Sequence, residues 1–204
     1  MTITSGAKEI TPVFLECISK LEAIPEWAFE IEHVRKTLSK PLSEITPDFF
    51  FQQYAYVVLC SYWKEQYARK EWEKFLTTGN PDVISNTRKR AAIMQGVSHA
   101  EEWLTNLKRY IGWDNEATYM ICYLDNLPMI GPVTRYHLAR NIGIDCVKPD
   151  RHLIRLASEA GYNMQYPQKA VERMCKDIQI GIGNAEKLGT IDVVLWRACN
   201  LRWI

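Results

Sequence analysis

LPMIGPVTRYHLARNIGIDCVKPDRHLIR, residues Leu127 to Arg155, is the stretch whose reading decides the fold. It reads as a helix end, a tight hairpin, a helix, a short connection and an aspartate opening another helix. Pro128 closes off the preceding helix, because its ring blocks helical continuation. Gly131 is expected to supply the permissive backbone of the hairpin. Pro132 suits the first position of the next helix, where a missing N–H costs nothing. That helix carries Val133, Tyr136, His137 and Arg140 and ends near Gly143, a C-cap glycine. After Val147-Lys148-Pro149, Asp150 starts a helix whose buried side is marked by Leu153, Ile154, Leu156 and Ala157.

Leu127-Pro128-Met129-Ile130-Gly131-Pro132-Val133-Thr134-Arg135, followed at the right distance by Asp150-Arg151-His152-Leu153-Ile154-Arg155, resembles the helix-hairpin-helix superfamily of DNA glycosylases. In that superfamily a hairpin of the type L-P-G-[VI]-G precedes a loop with a catalytic aspartate in a V-D-T-H-[VI]-x-R motif. The resemblance implies one glycosylase domain over residues 1–204, with the helix-hairpin-helix at about 115–143 and the aspartate loop at about 145–152. It implies an all-α fold of two helical lobes with a cleft between them. Two departures stand out. Met129 replaces the first hairpin glycine, which predicts a slightly distorted hairpin. Val133 stands where members with lyase activity carry a lysine, so Schiff-base chemistry is not expected there and the implied activity is hydrolytic.

Composition sets the outer bounds. The 204 residues suffice for a sizeable core, and 47% hydrophobic with 24% charged is ordinary for a globular chain. Net charge is only +1, which excludes a polybasic nucleic-acid binder. Residues 1–83 hold 9 basic and 12 acidic side chains, and residues 84–204 hold 16 and 12, so a modest basic face near the hairpin is expected. The six cysteines are dispersed without a C-x-x-C pair, which predicts free thiols in a reducing, cytoplasmic setting. Of these only Cys199 lies where some superfamily members carry a four-cysteine iron–sulfur cluster, so no cluster is expected. The four histidines show no metal-ligand spacing. No apolar run suggests a membrane span, and no signal peptide is read.

Taken in order, Met1 to Ala7 reads as a frayed end. Thr11-Pro12 and Pro25 start the first two helices, and Leu38 to Ile45 reads as a loop around Pro41. Thr46-Pro47-Asp48 is a strong helix start with a hydroxyl cap, and the helix to about Tyr62 is apolar nearly all round. Lys64 to Leu76 is amphipathic. Asn80-Pro81 is expected to open a helix running to Arg88-Lys89-Arg90, the densest basic cluster, which reads as a solvated face or a phosphate contact. Ser98-His99-Ala100-Glu101 fits a capping box starting a further helix. Asp114 is expected to cap the helix that enters the hairpin. Gly161 stops the aspartate helix, Pro167 opens the next, and Gly181-Ile182-Gly183 breaks it before a last helix from about Ala185 to Leu201. No alternating strand pattern occurs, so the fold class is all-α.

Chemistry is assigned through the resemblance. A base in duplex DNA must be extruded before it can be excised. The amides of Met129, Gly131, Val133 and Thr134, with the Thr134 hydroxyl, Arg135 and Lys148, are the candidates to hold the DNA backbone. Tyr54, Tyr62, Trp63 and His152 are the candidates to line a base pocket or enter the stack. For Tyr62 and Trp63, packing between lobes is an equal alternative. Asp150 would stabilise the oxocarbenium-like sugar and orient water. It is also well placed as a helix N-cap, and the two roles are compatible. His152 and Arg155 are expected to support it by packing or hydrogen bonding, with DNA contact as the other reading. No cofactor is required, and a monovalent cation at the hairpin is the one ion the resemblance admits. The expected partner is double-stranded DNA, bound by a monomer.

The residues around the two motifs look most like the superfamily branch linked to hypermodified bases of bacteriophage DNA. The expectation is therefore a monofunctional glycosylase that removes a bulky modified base and leaves abasic sites in invading DNA. The competing readings are an alkylation-repair glycosylase, a phage base-modification enzyme and a non-catalytic DNA-binding module.

Overall fold

The computed structural model describes residues 9–204; Met1 to Ala7, expected as a frayed end, lie outside the described residues. Among the described residues there are ten α-helices, two short 3-10 turns and no strand, as the absence of alternating patterns predicts. The chain divides into two compact units, one of residues 40–144 and one built from residues up to 39 together with 145–204.

The 40–144 unit is arranged around α3 (Pro47–Cys60). Thr46 caps it as expected, its Oγ1 accepting the Phe49 N–H at 3.2 Å. Phe50, Tyr54, Ala55, Val57, Val58 and Leu59 are all buried, which explains why this helix is apolar on most of its circumference. Around it lie α4 (Glu65–Thr78), α5 (Thr87–Lys108) and α7 (Thr134–Asn141), with α6 (Glu116–Leu124) against α7. Helices α1 (Ile10–Glu22) and α2 (Pro25–Ser39) belong to the other unit.

Three expected helix starts fail in this unit. Asn80-Pro81 opens only a 3-10 turn, Pro81–Val83, because Asn86 starts the real helix. Asn86 Oδ1 accepts the Lys89 N–H at 3.1 Å, so the basic triplet begins α5 rather than ending a helix. Ser98 is not a cap: it lies inside α5, and its hydroxyl turns back to the Met94 carbonyl at 3.4 Å. Asp114 is not a cap either. Asn115 occupies that position with φ 58°, and Glu116 folds back to accept the Gly112 N–H at 2.7 Å.

The second unit packs α1 and α2 with α8 (Arg151–Glu159), α9 (Pro167–Gly181) and α10 (Leu188–Asn200). Its core includes Phe14, Leu21, Leu153, Val171, Met174, Ile178, Ile191 and Leu195. α10 is buried along almost all its length and carries three buried polar residues: Thr190, Asp192 and Arg197. Arg197 is satisfied by Glu30, with Nε at 2.9 Å and Nη2 at 2.8 Å, and lies 4.0 Å from the Trp27 ring centroid. Gly161 and Gly183, at φ 85° and 66°, turn the chain after α8 and α9 where stops were expected.

The uneven charge along the chain does not survive folding. Counted by unit, residues 40–144 carry 12 basic and 11 acidic side chains, and the other unit carries 13 of each. The expected basic face is therefore not a property of either unit as a whole.

Candidate active site and nucleic-acid interface

The hairpin lies in the 40–144 unit. α6 ends at Leu124, and a run of turn hydrogen bonds carries the chain forward, including Leu127 N–H to Leu124 O and Ile130 N–H to Leu127 O, both at 3.1 Å. The left-handed residue here is Met129, at φ 62°, and not Gly131. A Cβ added at Gly131 would meet nothing within 4 Å, so neither space nor handedness requires a glycine there. Met129 thus holds the backbone shape that glycine gives most easily, at a cost of roughly 1–2 kcal/mol. Tyr54 offsets this strain: its single hydroxyl proton goes to the Pro128 carbonyl at 2.8 Å, with Ala92 O a second acceptor within reach at 3.2 Å. The ring is fully buried, and burial pushes the phenol well above its ordinary range. Tyr54 is accordingly a clamp on the hairpin and no candidate for a base pocket.

The hairpin's second helix begins as the sequence suggests, with small shifts. Its first i→i−4 bond runs from Arg135 N–H to Gly131 O at 3.0 Å, which sets Pro132 in the opening turn although α7 itself spans Thr134–Asn141. The amides of Val133 and Thr134 precede that bond and stand at the positive end of the helix. The Gly131 N–H donates to Thr134 Oγ1 at 2.8 Å, so these two candidates are engaged with each other. Arg135 is drawn aside by Asp125, its Nη1 lying 3.0 Å from Oδ2. The Leu127, Pro128 and Gly131 carbonyls each accept a hydrogen bond already, and a monovalent cation at the hairpin would have to share them. The far end of α7 closes as predicted: Gly143 is at φ 95°, with its N–H on Arg140 O and the Ile144 N–H on Ala139 O.

Asp150 belongs to the other unit. It is the N-cap of α8, and Oδ1 accepts both the His152 N–H at 2.9 Å and the Leu153 N–H at 3.2 Å. The second oxygen, Oδ2, has Lys148 Nζ at 3.8 Å. The Asp150 side chain is only 12% exposed and that of Lys148 20%. One oxygen is therefore used for structure, while the other is set beside a cation. The backbone of this loop is fastened to α10 from below. Asp192 Oδ2 accepts the Lys148 N–H at 3.2 Å, and Asp145 Oδ1 accepts the Gly189 N–H at 2.9 Å. Neither carboxylate was anticipated; the signal was an aspartate in the apolar run Ile191-Asp192-Val193-Val194-Leu195. His152 is half-buried and contributes its backbone N–H to the cap. Arg155 turns away, pairing with Glu159 at 2.9 Å and donating to Ile204 O at 3.1 Å.

Tyr62 and Trp63 follow the end of α3 and differ sharply. Tyr62 is at φ 59° with its side chain fully exposed. Trp63 is half-buried, with Lys89 Nζ 3.6 Å from its ring centroid. Lys89 is 2% exposed, so the middle of the basic triplet is neither a solvated face nor a phosphate contact. Among the described residues, no three His, Cys, Asp or Glu side chains gather as a metal site requires. No helix there is long and apolar enough to cross a membrane.

No protein-family model matches the chain, and no curated protein is significantly similar to it. Solved structures do match. The 8-oxoguanine glycosylase/lyase of Methanocaldococcus jannaschii, in complex with a 15mer DNA containing 8-oxoguanine, superposes with a TM-score of 0.63 at 16% identity, over 90% of this chain and 95% of that one. The 8-oxoguanine DNA glycosylase structure of the same organism gives a TM-score of 0.64 at 17% identity, over 91% and 92%. The chain has the fold of these glycosylases.

Proposed function

We propose that this protein is a monofunctional DNA N-glycosylase. What carries the reading is Asp150: a half-buried carboxylate with one oxygen saturated by the α8 amides and the other beside Lys148, on a chain with a glycosylase fold and a built hairpin. In this reading the hairpin amides at the start of α7 bind a backbone phosphate without reading sequence. The C1′–N bond breaks and its electron pair leaves with the base. Positive charge on the sugar is stabilised by the Asp150 side chain. Asp150 then orients water, takes one of its protons as oxygen bonds to C1′, and an abasic sugar results.

Val133, at the hairpin position where members with lyase activity carry a lysine, supports hydrolysis rather than lyase chemistry. For substrate, the motif departures favour a bulky modified base, such as those of phage DNA, with defence against invading DNA as the setting. The solved structures supply a second reading, an oxidised purine, since one of them holds 8-oxoguanine DNA. Base release, measured by mass spectrometry from unmodified, alkylated, oxidised and phage-modified DNAs, separates these. Release from phage-modified DNA alone supports the first reading, and release of 8-oxoguanine supports the second. Borohydride-trapped adducts would overturn the hydrolytic assignment.

A further inference from the structure

Lys89 is a buried ammonium with an unusual set of partners. Its Nζ donates to Leu59 O and Ser61 O, both at 2.6 Å. These carbonyls belong to the last turn of α3 and the residue after it, groups that a helix end leaves without partners. The same ammonium lies 3.6 Å from the Trp63 ring centroid. Ser61 is buried too, and its hydroxyl donates to Val58 O at 2.7 Å. The chain is thus tied down at residues 59, 61 and 63. Tyr62 is the residue between these ties, and it alone points fully into solvent, in a left-handed conformation that a tyrosine does not favour by itself.

A flexible loop would not need a buried cation, and desolvating one is costly. Evolved for packing alone, the position would more simply hold an apolar residue, since Ala92, Ile93 and Gly96 follow on the same buried stripe of α5. A lysine ammonium can donate to two carbonyls and still lie against an aromatic face. We infer that Lys89 is a positioning residue that holds Tyr62 out as a rigid aromatic finger, and that Tyr62, not Trp63, enters the stack of duplex DNA. Trp63 is kept out of the duplex by its place over Lys89. This inference rests on the DNA-glycosylase reading for its ligand, while the fastening itself does not.

The test uses the full chain and a duplex with 2-aminopurine next to a tetrahydrofuran abasic analogue. Insertion of Tyr62 changes the 2-aminopurine emission, and base–aromatic stacking predicts a loss of roughly tenfold in affinity for Tyr62→Ala. Lys89→Met, or Lys89→Gln should the first not fold, is expected to reduce the emission change several-fold and to speed hydrogen exchange at residues 59–63. Exchange elsewhere and affinity for undamaged duplex should stay near wild type, which a general loss of stability would not give. If wild type perturbs the probe and both Lys89 variants do so equally, the positioning role is overturned. If Tyr62→Ala matches wild type while Trp63→Ala does not, the choice of finger is overturned. If wild type binds neither duplex, the DNA reading itself fails; unchanged exchange in the Lys89 variants would then dispose of the fastening separately.

Discussion

Tyr54→Phe removes one oxygen atom and leaves the ring, its burial and its packing in place. The lost hydroxyl serves two carbonyls, Pro128 O at 2.8 Å and Ala92 O at 3.2 Å. Ala92 lies within α5, whereas Pro128 lies in the hairpin, where the Tyr54 bond is the closer of the two. A net hydrogen bond contributes about 1 kcal/mol, and a buried acceptor left unsatisfied costs about 1–3 kcal/mol. The expected loss is therefore about 1–2 kcal/mol, or roughly 2–8 °C in Tm for a chain of this size. It should fall on the hairpin first, because Met129 relies on neighbours to hold its left-handed backbone. Thermal unfolding followed by circular dichroism gives the global term. Hydrogen exchange of the amides from Met129 to Thr134 gives the local one, expected to accelerate ahead of α3 and α5. A variant with wild-type Tm and wild-type exchange at the hairpin would refute the clamp, and with it the claim that burial of Tyr54 shapes the hairpin turn.

Gly96→Ala should destabilise despite a gain of about 1 kcal/mol in helix propensity. The new Cβ would lie 2.8 Å from Tyr54 Cε1 and 3.1 Å from Phe51 Cδ2, and overpacking a pinned ring costs about 1–3 kcal/mol; a rise in urea midpoint would contradict this. Burial lowers the Lys89 pKa to about 8, below its ordinary 10.5. Below pH 8 both folded and unfolded chains hold the proton and the burial penalty is present in full. Between about 8 and 10.5 only the unfolded chain keeps it, so the Lys89 contribution to unfolding free energy rises with pH, by about 3 kcal/mol. Comparing wild type with Lys89→Met across that range isolates the effect, and a difference independent of pH would count against it. Asp150→Ala should cost about 1–2 kcal/mol through loss of two capped amides, whereas Asp150→Asn keeps an acceptor for both and should cost under about 1 kcal/mol; equal Tm values for the two variants would count against the cap.

Much of the fold could be read from local signals. Thr46-Pro47-Asp48, Asp150 and Gly143 act where their chemistry predicts, because a cap needs only its own turn to be correct. The failures share a physical cause. Ser98-His99-Ala100-Glu101 has the letters of a capping box, yet a helix already under way from Asn86 leaves no free amides for it to cap. Once α5 starts at Thr87, Lys89 falls on the same stripe as Ala92, Ile93, Gly96, Ala100, Leu104 and Leu107, and its burial becomes legible. Misplacing that start turned a buried ammonium into part of a charge run. At the hairpin, substitution of the first glycine by Met129 signalled distortion, but the backbone keeps its left-handed turn because Tyr54 fastens it from α3. That tie joins residues 74 apart in sequence, beyond the reach of any local pattern. Asp145 and Asp192 escaped for the same reason, since each acts on a backbone amide 44 residues away.

The central claim is that Asp150 carries the chemistry and not only the cap. Single-turnover base release from the DNA that wild type attacks, run beside Asp150→Asn under conditions where both are folded, tests it most directly. Replacing the carboxylate with a neutral amide should slow release by about a hundredfold or more, with duplex affinity nearly unchanged. Release by Asp150→Asn at the wild-type rate would leave Asp150 a helix cap alone and place the catalytic group elsewhere.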